Sequence, residues 1–469
     1  MRRRDFLKGG SLALGGLLLT PATLQANTIK EAFNNKKAKN IIFLVSDGMS
    51  SGTLAMADLY SQRKLGRASH WMSLYKSNLV NRGLMDMASN NSLITDSAAA
   101  SSSWGGGKRV NNGSINIGES GQEHLPILQK FKMAGKKVGC VTTVPITHAT
   151  PAGFSIYTKS RNNQELIAEL YSELNFDVFL GGGHKYFDSE QRKDKTDMYD
   201  VFRKKGYSVA RNKQQMMSSP KNKPLLGTFA ADGMPYAVEY KNNPTLQRET
   251  PTLAEMTEKA IEHLKDHPKG FVIQVEGGKV DWAAHANDAA GLIYDQLAFD
   301  DAVAVAMKFA KEDGNTLVVI TTDHSNANPG LVGGKTQENF DRIQSFTHSN
   351  EWILQGIKPS DSLQSIRTRI AEANAGFLIS ESDAKQIHQY YASQQSEDGV
   401  YNDLHLPYKL LSDIQKAYTS VGWMSMDHSS DYVELAMYGP GSELMKPFTR
   451  NTEIHNLLLK AAEIENVYA

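Results

Sequence analysis

A chain of 469 residues that is 40% hydrophobic and 22% charged has the composition of a globular protein, long enough to bury one large core or two smaller ones. Equal numbers of basic and acidic residues, 51 of each, exclude a strongly cationic chain, and nothing in the balance points to a polyanion partner such as nucleic acid. A single cysteine, Cys140, excludes an internal disulfide and thiolate metal sites of the CxxC type, and reads as a small buried hydrophobe.

In chain order, the first segment is a targeting sequence rather than part of the fold. Arg2-Arg3-Arg4-Asp5-Phe6-Leu7-Lys8 precedes a short apolar run, Ser11–Leu19, and a small residue at Ala26. This is an export signal over residues 1–26, and the paired arginines favour the twin-arginine type over general secretion. It places the mature protein in the periplasm or outside a bacterial cell. The apolar run is too short to span a membrane, and no later stretch is apolar enough to be a span. Its removal takes away four basic residues and one acid, so the net charge of +0 becomes about −3.

The remainder, 27–469, reads as one domain. Ile41–Val45 is apolar at every position, the mark of a strand covered on both faces in a parallel sheet. Lys137–Thr143, Val178–Leu180, Phe271–Val275, Thr316–Ile320 and Val433–Met437 have the same character. Helical patterns lie between them, at Gln164–Leu174, Leu253–Leu264 and Ala289–Lys311. The alternation predicts a doubly wound, mostly parallel α/β sheet with helices on both faces, and hence a site at the carboxyl ends of the strands. Two stretches, about 184–250 and 325–425, read as decorating insertions, the second with helices at Leu363–Ala373 and Asp383–Ser393.

Polar residues cluster at those strand ends. Asp47 follows the first strand, His148 and Thr150 the strand through Cys140, Glu276 the strand from Phe271, and Asp323-His324 the strand from Thr316. Asp281 and His285 are spaced i, i+4, which puts them on one face of a helix as a clamp for a divalent ion. His428 precedes the last core strand and so can reach the sheet rim. So many carboxylates at one rim repel each other unless cations intervene. His70, His124, His263, His267, His388 and His455 read as structural or surface residues.

Between the first two long strands, Thr95-Asp96-Ser97-Ala98-Ala99-Ala100 sets a serine at the start of an alanine-rich helix, where free N–H groups favour an anionic oxygen. An alkoxide there needs a neighbouring base or a metal, and no histidine is recognisable as its base.

Seven motifs now stand in order: Val45-Ser46-Asp47-Gly48-Met49, Thr95-Asp96-Ser97-Ala98-Ala99, His148-Ala149-Thr150-Pro151-Ala152, Leu180-Gly181-Gly182-Gly183, Val275-Glu276-Gly277-Gly278, Thr322-Asp323-His324 and His428. Together they resemble the motif set of the alkaline phosphatases, from about residue 40 to the C-terminus. The resemblance implies metal-dependent hydrolysis of phosphate monoesters, with an alkaline optimum, through a phosphoserine at Ser97. It implies two zinc ions and one magnesium per subunit. Asp281, His285 and His428 would hold one zinc. Asp47, Asp323 and His324 would hold the other, with Ser97 as a further ligand. Asp47, Thr150 and Glu276 would hold the magnesium. Arg161 would bind phosphate, beside Asp96. His148 and Trp282 depart from the enterobacterial pattern, which has aspartate and lysine there, and resemble marine, cold-adapted members; His148 is expected beside the magnesium rather than on it. A homodimer is also implied, with 325–425 as a contact. The competing readings are a phosphodiesterase of the same superfamily and a metal- or phosphate-binding protein without turnover; the presence of Ser97, Glu276 and every ligand disfavours both.

Overall fold

The computed structural model describes residue 33, residues 36–392, residue 402 and residues 405–466. The export signal expected over residues 1–26 lies outside the described residues.

Ten strands form one sheet. They are β1 (Asn40–Ser46), β2 (Asn81–Asp86), β3 (Lys137–Pro145), β4 (Val178–Gly182), β5 (Ser208–Ala210), β6 (Leu225–Thr228), β7 (Phe271–Gly277), β8 (Thr316–Thr321), β13 (Val433–Tyr438) and β14 (Phe448–Arg450). Four two-residue strands lie between β8 and β13: β9 (Ser325–Asn326) pairs with β12 (His428–Ser429), and β10 (Gly330–Leu331) with β11 (Val421–Gly422). Across the sheet the order is β14-β2-β13-β8-β1-β7-β3-β4-β6-β5.

The six strands expected from continuous apolar runs are all present, and their burial explains why they were legible. In β1, Ile42 and Leu44 enter the core on one face of the sheet, while Ile41, Phe43 and Val45 enter the core on the other. A strand covered on both faces has no polar side to interrupt the run. The helices Gln164–Glu173, Leu253–Leu264 and Ala289–Asp313 fall where the 3.6-residue pattern puts them.

Four sheet strands were not expected. β2, Asn81-Arg82-Gly83-Leu84-Met85-Asp86, is only partly buried and mostly polar. β5 and β6 belong to the stretch 184–250, read as an insertion, which instead extends the sheet at one edge. They are three and four residues long, too short for a periodic signal. β14 has the same brevity. The stretch 325–425 carries the expected helices, Leu363–Ala373 and Glu381–Ala392, over an apolar cluster of its own that includes Ile353, Ile366, Ile370, Ile387 and Leu411.

All pairings within the sheet are parallel except those of β13, which runs antiparallel to both β8 and β2. The start of β13 therefore lies at the rim where the other strands end. His428 reaches that rim only because this one strand is reversed.

Candidate active site

Ser97 opens the helix Ser97–Gly105, as its alanine-rich sequence predicts. Asp96 caps the helix: one carboxylate oxygen accepts from the Ala99 N–H at 2.9 Å. The other accepts from the Gly113 N–H at 3.0 Å and from Arg161 Nη1 at 2.9 Å. One aspartate thus fixes both the serine's helix and the arginine beside it. Ser97 itself is buried.

Asp281, His285 and His428 come together, although β7 and the approach to β13 are far apart in sequence. His285 Nδ1 faces the Met426 carbonyl at 2.6 Å, and His428 Nδ1 faces the Thr95 carbonyl at 3.0 Å. A carbonyl can only accept, so each Nδ1 carries the proton and each Nε2 is left with a lone pair when the ring is neutral. Those two Nε2 atoms face each other at 3.1 Å, and lie 3.3 and 3.5 Å from the Asp281 oxygens. Burial opposes charge on these groups, yet Asp281 holds the His428 pKa up, and the two imidazoles hold Asp281 well below the usual carboxylate range. The arrangement calls for positive charge at its centre.

The second group is Asp47, Asp323 and His324. His324 Nε2 is 3.3 Å from Asp323 Oδ2, 3.5 Å from Asp47 Oδ1 and 3.3 Å from Ser97 Oγ. A histidine therefore does approach the serine, contrary to the expectation from sequence. Burial and the neighbouring His428 push its pKa well down, so the ring is neutral. One imidazole nitrogen ringed by three oxygens is the donor set of a shared cation rather than of a serine–histidine dyad. Gly48, with φ +68°, allows this close assembly: a Cβ there would lie 2.4 Å from Asp281 Oδ1.

The third group joins Asp47 to Glu276 and His148. Glu276 Oε2 accepts from Thr142 Oγ1 at 2.5 Å. Arg161 Nη2 lies 3.1 Å from His148 Nε2, so that nitrogen accepts and Nδ1 bears the proton, 4.0 Å from Glu276 Oε1. Burial and Arg161 lower the His148 pKa to about 3, which keeps the ring neutral.

Buried polar atoms without hydrogen-bond partners concentrate here. They include both Asp47 oxygens, Glu276 Oε1, Asp323 Oδ2 and Thr150 Oγ1. Each would cost free energy if left bare. Burial, then mutual repulsion, pushes the Asp47 pKa well up; burial also raises Asp323 to about 6 and Glu276 to about 7. Hard oxygen donors with imidazole nitrogens suit zinc and magnesium.

The groups open into a cleft of about 470 Å³ lined by His148, Arg161, Trp282 and His285 among others. The Trp282 ring lies 6.4 Å from that of His148. The expected acidic and histidine residues gather in three groups, with Ser97 against His324 and Arg161 and Trp282 beside His148, and the six histidines set aside stay out of those groups. His455, for example, is buried against the Trp104 carbonyl. Cys140 is buried, its pKa raised by burial to about 12. Three supporting residues escaped the sequence. Thr142 orients Glu276, Asn326 donates to Asp281 Oδ1 at 2.7 Å, and Lys279 places its ammonium 4.4 Å from the Trp282 ring centre. The signal for Thr142 was a pair of threonines, Thr142-Thr143, at the end of a buried strand.

A family model described as alkaline phosphatase matches residues 38–464. Alkaline phosphatase 4 of Bacillus subtilis is 30% identical over 451 residues, covering 94% of this chain and 92% of the relative. The Escherichia coli alkaline phosphatase is 30% identical over 380 residues, 70% of this chain and 80% of the relative. The alkaline phosphatase of Thermus thermophilus superposes with a TM-score of 0.85 at 29% identity, covering 95% of this chain and 96% of that one. The cold-active enzyme of a psychrophilic Shewanella species shares the fold, with a TM-score of 0.76 at 24% identity over 90% of this chain and 99% of that one. The chain belongs to the alkaline phosphatase family and is a metal-dependent hydrolase of phosphate monoesters.

Proposed function

We propose that Ser97 accepts the phosphoryl group and that Arg161 grips it. In this reading Asp281, His285 and His428 hold one zinc, and Asp47, Asp323 and His324, with Ser97, hold a second. Asp47, Thr150 and Glu276 hold a magnesium, with His148 beside it. The observation that carries the reading is the set of buried, unpartnered oxygens around Ser97. When bound, the divalent ions acidify the serine hydroxyl and neutralise charge on the transferring group.

The side chains do the rest. The helix N-terminus under Ser97 presents free N–H groups to an anion. Arg161 offers a planar fork that matches two phosphoryl oxygens, and Asp96 holds that fork in place before substrate arrives. Replacing Arg161 by alanine is expected to weaken inorganic phosphate inhibition and raise KM by about 10- to 150-fold, the worth of about 1.5–3 kcal/mol of charge-assisted hydrogen bonding. Inhibition titrations check this, and a change under threefold would remove Arg161 from the site.

Turnover of mono- and bis-nitrophenyl phosphate separates a monoesterase from a phosphodiesterase. The monoester is expected to be preferred by at least about 100-fold, because a second ester substituent removes one of the oxygens Arg161 and the metals hold. Metal analysis of the purified protein tests the stoichiometry of two zinc and one magnesium.

Export is supported by Arg2-Arg3-Arg4 ahead of the apolar Ser11–Leu19 run. No helix among the described residues is long and apolar enough to cross a membrane. A homodimer is supported by exposed apolar side chains at one sheet edge, Leu84, Tyr432 and Phe448, the last two in ring contact at 4.9 Å; residues 325–425 are the other expected contact. Light scattering at twice the chain mass is the expected result, and a monomer mass would count against it.

A further inference from the structure

The cleft is lined by groups of both signs. Arg161 and His148 stand beside the metal-ligand groups and serve the phosphoryl group. Tyr236, Tyr408 and Glu351 line the same cleft. Glu351 lies in the first turn of the helix Asn350–Gln355. Its Oε1 accepts from Gln355 Nε2 at 3.2 Å, and it forms no ion pair among the described residues. Both tyrosines are buried. Burial raises the pKa of each hydroxyl, and Glu351 is the next largest cause for both, which places its charge near the two phenols.

Further negative charge stands behind them. Asp288 and Asp295 are fully buried carboxyls raised by burial to about 7, so both are ionised under alkaline conditions. The two lysines of this wall are already engaged. Lys185 Nζ pairs with Asp232 at 2.9 Å, and Lys279 Nζ occupies the rings of Tyr236 and Trp282, 3.5 and 4.4 Å from their centres, with its charge set against the buried Asp295, which leaves Glu351 and Tyr408 to meet a ligand. A cleft of about 470 Å³ also has room well beyond a phosphoryl group and falls in the range of small-molecule sites.

Aromatic rings beside an unpaired carboxylate form the environment that recognises an ammonium group. The same field disfavours an alcohol bearing a carboxylate or a second phosphate. We propose that this cleft selects phosphate monoesters whose alcohol carries a cationic nitrogen, with Glu351 and Tyr408 as specificity-determining residues in its wall. The proposal rests on the phosphatase reading and adds the class of alcohol to it. Cleavage of the ester P–O bond is unchanged; only the grip on the leaving alcohol is new.

The test compares kcat/KM for choline phosphate with that for its uncharged isostere, in which a tert-butyl group replaces the trimethylammonium. Both are assayed with the metal-loaded enzyme at low ionic strength, where the charge effect is least screened. The wild-type enzyme is expected to prefer choline phosphate by about tenfold. Glu351→Gln is expected to bring the ratio to within about twofold, and Tyr408→Leu to reduce it. The ratio between two esters cancels any general loss of activity in a variant. Equal rates for the two esters in the wild type, or an undiminished ratio in Glu351→Gln, would overturn the proposal. p-Nitrophenyl phosphate is the control for the phosphatase reading: if none of the three esters is turned over by the metal-loaded wild type, that reading fails and the proposal falls with it.

Discussion

Ser97→Ala is expected to lower turnover of p-nitrophenyl phosphate by roughly 10³- to 10⁵-fold while leaving the fold, metal content and phosphate binding intact. The loss is large because nothing else at the helix start can accept the phosphoryl group: residues 98–100 are all alanine. The fold survives because the serine oxygen gives up one side-chain hydrogen bond, to His324 at 3.3 Å, and alanine is at least as good as serine in a first helical turn. The three ligand groups lose only one peripheral oxygen. Steady-state assays at alkaline pH, with thermal melts and metal analysis on the same preparation, check all parts of the statement. Activity within tenfold of wild type would show that Ser97 is not the acceptor.

Metal removal is expected to have the second largest effect, and it carries a pH signature. Chelation should abolish turnover by at least about 10³-fold, and added zinc and magnesium should restore it. It should also make stability depend on pH in one direction. Burial raises Asp323 to about 6 and Glu276 to about 7, and raises Asp47 well above its ordinary value, so the folded chain holds these protons more tightly than the unfolded one. Below about pH 4 both states are protonated and the contribution is intact. As pH rises through the folded values the unfolded state releases protons first, and stability of the metal-free protein falls. A tenfold difference in acidity is worth about 1.4 kcal/mol, so Asp323 and Glu276 each lose on the order of 3 kcal/mol between about pH 4 and pH 7. Bound cations reverse the sign, because they favour the ionised carboxylates. Denaturant melts of chelated and metal-loaded protein across this range measure the effect. A chelated protein whose stability is flat across that window would mean that the carboxylates do not confront one another.

What could be read from sequence followed how each residue is covered. Ile41–Val45 announced its strand because both faces are buried, and Asp47 announced its place because a turn follows that strand at once. β2, β5 and β6 stayed hidden because each is short or polar, and only pairing in three dimensions makes them strands. The ligand groups were assigned from a resemblance and from strand ends, and their acidic and histidine members lie together in three groups. The approach of His324 to Ser97 was missed because 227 residues separate them. The acidic, aromatic wall was missed as well: Tyr236, Glu351 and Tyr408 come from two stretches that looked like decoration, and no local pattern joins them.

The reversal of β13 has a consequence for how the molecule is made. His428 completes the group with Asp281 and His285, which are far from it in sequence, so a long loop must close before that group is complete, whereas the groups around Asp47 draw their ligands from residues 47–324. Closing long loops is slow compared with forming local helices. A nascent chain can therefore form β1, β3 and β7 in register while still lacking the imidazole that completes the group around Asp281. Tight metal retention then becomes a report on the last step of folding, and a chain halted before residue 428 would be compact but unable to retain its full complement of ions.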